Sequence, residues 1–230
     1  MKKILFFLFL AAAGGYLLLQ ARPDLYYSNK LEYKNFTLWT RGPVPEVVES
    51  SLDKAFEKIS SSELFKPDYK FDIYIPGSRN EFVFFTLFSN GEYSRVNPFN
   101  GNIFIAAPDF RADRARKAAG DSDYHSLSGE IIAAASRVLV RRSVETLTFL
   151  LIDDWKLRGY AERLSGGTGA FAPADLCSGK TADPDLQDYR YGMAVDFAMR
   201  EGQLTVSELM GKDLSFESVE GRMKKIQCGN

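Results

Sequence analysis

Residues 126–143, SLSGEIIAAASRVLVRRS, mark the place where this chain changes character. Apolar and small residues recur here at helical spacing, alanine fills the middle, and alanine is the best helix former. Before this stretch the chain offers short runs rich in aromatic and β-branched residues. After it come further helical patterns. Strands first and helices second predict an α+β domain in one piece, with a small, mostly antiparallel sheet followed by a helical half.

Working outward, residues 31–42 (LEYKNFTLWTRG) read as a strand or hairpin. Val48, Leu52, Ala55, Phe56 and Ile59 then fall at helical spacing, with Pro45 suited to a first turn. Phe71, Ile73 and Ile75 alternate as a strand does, and Ser78 with Glu81 has the spacing of a capping box that opens a helix. Residues 100–108 (NGNIFIAAP) read as a short strand between turn residues. Downstream, helices are expected over 126–142, 146–164, 185–201, 206–210 and 217–226, with a helix-terminating loop at 165–169.

The N-terminus, MKKILFFLFLAAAGGYLLLQARPD, sets Lys2 and Lys3 before an uncharged run from Ile4 to Leu19. That is an export signal or a membrane anchor over residues 1–22, leaving 23–230 as a single domain. Leu19-Gln20-Ala21 lacks a small residue at its first position, a poor cleavage site, so an uncleaved anchor is favoured. The positive-inside rule then retains the two lysines and exports the rest. The expected location is a bacterial inner membrane, single-pass, with the domain in the periplasm or another extracytoplasmic space; a cleaved signal would instead make the protein secreted. In an oxidising compartment Cys177 and Cys228 form a disulfide or stay as two buried thiols. Asn35-Phe36-Thr37 also matches a glycosylation sequon.

Lys plus Arg (29) balances Asp plus Glu (30), and no basic patch with interleaved aromatics argues for nucleic acid. A single His and two Cys exclude a zinc site built on two histidines, and no cofactor is expected.

Two segments belong together: HSLSGEIIAAASRVLVRR from His125 and DDWKLRGYAERLSGG from Asp153. They resemble the gluzincin-type (peptidase MA-like) zinc metallopeptidases, in which one helix carries H-E-x-x-H. A following helix carries a Trp, a Glu then Gly, an Ala-Glu pair and a Ser-Gly end. The spacing serves the metal, since His at i and i+4 share a helix face and the Glu between them acts as base to the metal-bound water. Trp155, Gly159, Ala161, Glu162, Ser165 and Gly166 match that frame. The resemblance sets Ala133 and Arg137 where the histidines would be, Ala134 at the base and Arg158 at the third ligand. A second register, keeping Glu130 as base, restores no ligand.

What the resemblance implies is a zincin-like fold and a pseudopeptidase without metal. Residues 102–106 would be the edge strand flanking the cleft, open to a peptide or protein partner by strand addition. Arg137, Arg158, Glu162 and Tyr191 would line a salt-bridge or ligand site, with Tyr189 close by. Two alternatives stand beside it. One is a metal-free hydrolase using His125, which has Asp121, Asp123 and Ser126 nearby in sequence. The other is a purely structural envelope protein.

Overall fold

In the computed structural model the described residues are 2–87, 89, 91–166, 171–177 and 183–229. Lys2–Ala21 forms helix α1, of which Lys3–Ala21 is long and apolar enough to cross a membrane. The aromatic run after it folds as a hairpin, β1 (Asn29–Tyr33) and β2 (Phe36–Thr40). Tyr33 pairs with Phe36, so two residues make the turn, and Lys34 takes the positive φ of 52°. Asn35 is buried beside it, with 8% exposure, which leaves the sequon side chain little room for a glycan.

From β2 the chain runs through α2 (Val48–Ser60) to β3 (Phe71–Ile75), which lies parallel to β2. A further helix, α3 (Arg79–Phe85), leads on to β4 (Ser94–Val96) and β5 (Ile103–Ile105). β5 is parallel to β3, while β4 runs antiparallel along the other side of β5. The sheet order is β1-β2-β3-β5-β4. The sheet is therefore mixed rather than mostly antiparallel, because the long helix-bearing connections after β2 and β3 return the chain in the same direction. The expected edge strand at 102–106 is also corrected. Ile103–Ile105 is buried between β3 and β4, and the edge beside it is β4. A second small antiparallel sheet joins β6 (Ala107–Asp109), β7 (Arg114–Arg116) and β8 (His125–Ser126).

By its contacts the chain forms two compact units, Met1–Leu52 with Lys70–Glu130, and Asp53–Tyr69 with Ile131–Asn230. The first has an aromatic core of Tyr27, Tyr74, Phe82, Phe85 and Phe104, with Phe85 and Phe104 stacked at 5.6 Å. The second is helical: most of α4 (Leu127–Ser143), then α5 (Thr146–Leu151), α6 (Asp154–Ser165), α7 (Pro184–Gly202), α8 (Val206–Gly211) and α9 (Phe216–Gln227). The single helix expected over 146–164 is two helices, because Ile152 and Asp153 are extended, with ψ of 130° and 136°. Gly166 ends α6 in the left-handed region at φ 83°; residues 167–169 of the expected loop lie outside the described residues. Asp183 caps α7 by accepting the Asp185 and Leu186 amides, and Thr205 with Glu208 closes a full capping box on α8. Trp155, Ala194, Val195, Ala198, Leu209 and Val219 form one cluster of this unit's core. Cys177 and Cys228 are joined as a disulfide, with Cα atoms 5.9 Å apart.

Candidate functional site

Alanine at positions 133 and 134 brings no chemistry of its own, and packing accounts for what the helix does there. Ala134 is wholly buried, and the Ala133 carbonyl accepts a hydrogen bond from the Ser136 hydroxyl at 2.8 Å. Arg137 is half-buried, and among the described residues no hydrogen bond or ion pair engages its guanidinium.

Arg158, on α6, is firmly held. Its guanidinium lies 2.5 Å from Asp188 of α7 and 3.6 Å from Asp154 one turn back, and it sits over the Tyr191 ring at 5.3 Å. Burial pushes the Asp188 carboxyl above the ordinary carboxylate range, and Arg158 only partly draws it back. Tyr191 also meets Phe216 edge-on at 4.7 Å, and Tyr189 packs against Phe171 at 5.8 Å. Among the described residues no shared hydrogen-bond, ion-pair or ring partner brings Ala133, Arg137 and Arg158 together.

The Trp-to-Gly frame of α6 has a packing reason at each of several positions. Trp155 and Ala161 are buried. A Cβ on Gly159 would stand 2.4 Å from the Tyr191 carbonyl oxygen and 2.7 Å from Val195, so α7 crosses here at a distance only glycine allows. The Glu162 stem covers Gly192 from the other side, at 3.0 Å from where a Cβ would be.

His125 has different neighbours from those near it in sequence. It stands in β8, just before α4. Its Nδ1 is 2.9 Å from the Glu130 carboxylate, and its ring stacks on Tyr93 with centroids 3.9 Å apart. The other Glu130 oxygen accepts the Ser94 hydroxyl at 2.5 Å. Asp123 instead accepts the Tyr93 hydroxyl at 2.5 Å and the Lys117 ammonium at 3.2 Å. The Tyr93 bond and Lys117 hold the Asp123 carboxyl below its ordinary range, while burial and Asp123 push the Tyr93 phenol up. Ser126 turns to Ser128 at 3.0 Å.

In chemical terms this is a carboxylate shared between a serine and a histidine. A Ser-His-acid triad needs the imidazole in the middle, to take the hydroxyl proton. Here Glu130 is in the middle and Ser94 is engaged by it, so the arrangement orients an imidazole without activating Ser94. Tyr93, Ser94 and Glu130 were not legible as partners of His125, because two of them come from a distant three-residue strand and its flank. The separation of five residues from His125 to Glu130, across a helix start, was the one local signal.

Among the described residues no group of three or more His, Cys, Asp or Glu side chains is placed to hold a metal ion. Compared with known proteins, the chain matches no family model, no curated protein and no solved structure.

Proposed function

We propose that this chain is an exported, membrane-anchored pseudopeptidase: a domain of metallopeptidase-like descent that has exchanged its metal site for packing and keeps a binding or scaffold role in the cell envelope. The observation that carries this reading is the state of Arg158. At the position where the resemblance sets the third zinc ligand stands a guanidinium clamped by Asp154, Asp188 and Tyr191. Ala134, at the position of the base, is closed into the core. Support also comes from chain order, since α6, carrying the Trp155-to-Gly166 frame, follows α4 as the resemblance implies. The partner-binding edge moves with the sheet: strand addition falls on β4 rather than on 102–106.

The test is metal content. The full chain, purified in detergent, dialysed against zinc and then freed of loose metal, is expected to carry far less than one zinc per chain; one tightly held zinc per chain sinks the reading. A second reading, a metal-free hydrolase, is favoured by the His125–Glu130 pair at 2.9 Å. Generic ester and peptide substrates, assayed with the wild type and with His125→Ala, separate the two. Hydrolysis that disappears in the variant supports the enzyme.

A further inference from the structure

We infer that the first unit is seated in the headgroup region of the bilayer, with Phe84, Leu87 and Phe99 as the inserted foot, rather than carried above the membrane on a tether. This rests on the reading of α1 as an anchor.

The geometry of α1 carries the inference. The Tyr16 hydroxyl and the Gln20 amide both donate to the Phe84 carbonyl, at 3.1 and 2.9 Å. The Tyr16 ring stands edge-on to Phe84 at 5.0 Å. From the other side Asn100 donates to the Gln20 carbonyl at 2.9 Å, and Gln20 itself is only 7% exposed. The chain then has no slack: a short 3-10 turn at Pro23–Leu25 leads directly to Tyr27, which is buried in the aromatic core. The last turns of α1 are thus packed into the rest of the first unit.

Depth follows from register. The uncharged run from Ile4 to Leu19 is about 24 Å of helix, against a hydrocarbon core of about 30 Å. Tyr16 lies inside that run, three residues before its end. Because Phe84 is bonded to Tyr16, the end of α3 stands beside the apolar run and not beyond it. A bilayer that covers the run brings its headgroups to the level of α3. The side chains near that level suit it: Phe84 is 36% exposed, Leu87 44% and Phe99, next to Asn100, 63%. In water these are a cost; at the acyl-headgroup boundary they extend an apolar segment that is short for a span. Tyr16, an amphipathic ring at the same level, is the residue type such interfaces favour.

The experiment uses the full chain in lipid nanodiscs with tryptophan probes read against wild type: Phe99→Trp for the foot, and Leu8→Trp for α1. Lipids brominated on the acyl chain quench from the membrane side, and iodide quenches from water. The inference expects both probes to lose emission to brominated lipid, and Phe99→Trp to resist iodide. If Leu8→Trp is quenched by brominated lipid and Phe99→Trp is quenched by iodide instead, the seating is overturned and the anchor stands. If neither probe meets brominated lipid, the anchor reading fails and the seating with it. Shielding of Phe99→Trp from both quenchers means a second protein copy covers the foot, which also overturns the inference. Leu87→Trp repeats the measurement should Phe99→Trp lose its circular dichroism spectrum.

Discussion

Gly159→Ala tests whether packing governs the middle of α6. The added Cβ would meet the Tyr191 carbonyl oxygen at 2.4 Å and carbon at 2.7 Å, where ordinary contact begins near 3.4 Å. The shortfall is about 1 Å, and because the obstacle is mainly backbone, no rotamer change relieves it. α6 and α7 must part by roughly that distance, which also weakens contacts of Trp155, Val195 and Ala198, since a gap of ~1 Å forfeits up to about half of the attraction. Overpacking of this kind costs up to about 3 kcal/mol. Alanine regains about 1 kcal/mol of helix propensity over glycine. The net expectation is a loss of about 2 kcal/mol, or roughly 4–8 °C in Tm for a chain of this size. Thermal unfolding in detergent, followed by far-ultraviolet circular dichroism, reads it. Gly221→Ala, in the exposed face of α9 with open space around it, is the internal control and should gain up to about 1 kcal/mol. A Gly159→Ala chain as stable as wild type, or more so, would refute the close-crossing account.

Two further measurements probe the helical unit. Replacing Cys177 and Cys228 with serine opens a link across 51 residues of sequence, which chain entropy values at no more than about 4 kcal/mol. The urea midpoints of the wild type in dithiothreitol and of the variant should both fall below that of the oxidised wild type, and an unchanged midpoint refutes that contribution. Arg158→Met leaves Asp188 with burial but without its nearest cation, so its carboxyl should rise further above the ordinary range. An acid whose folded pKa is raised is stabilising at low pH, and that stability is lost as pH rises through the folded value. The variant should therefore lose about 1 kcal/mol at neutral pH, a modest figure for a pair one-third exposed, and approach wild type in acid. A deficit that does not shrink as the pH is lowered contradicts this assignment.

Much of the architecture was legible where local physics is strong. The hairpin at β1–β2, the alternation of β3 and the capped start of α3 all follow from short-range pattern. Even there the structure refines the reading: Ser78 accepts the Glu81 amide at 3.3 Å, but the Glu81 carboxylate turns to the Gly77 amide, Arg41 and Tyr26. The strand pairing was not legible. Nothing in NGNIFIAAP says that Ile103–Ile105 is flanked on both sides, because the covering strand, β4, is three residues long and carries no periodic signal. The second sheet, whose strands are two or three residues long, is illegible for the same reason. At the candidate site, sequence neighbours proved a poor guide. Asp123, two residues from His125, serves Tyr93 and Lys117, while Glu130 turns back from α4 to the imidazole. The α6 frame illustrates the converse difficulty. A glycine and an alanine spaced to suit a metal-site helix are also what close helix crossing demands, and spacing alone does not separate the two.

The boundary between the two units runs through α2, between Leu52 and Asp53. Synthesis therefore delivers the second half of α2 long before the helices that will cover it. Ser62 meets its partner, the buried Tyr160 hydroxyl, across 98 residues of sequence at 2.6 Å. At ~5–20 residues per second this is a wait of about 5–20 s. During that interval the apolar stripe of Ala55 and Ile59 has no native cover from the later helices, and the nascent chain offers it to whatever is at hand. A chaperone that holds unfolded chains has a target in residues 53–69 throughout that wait, and ribosome-bound fragments ending before residue 160 should retain it.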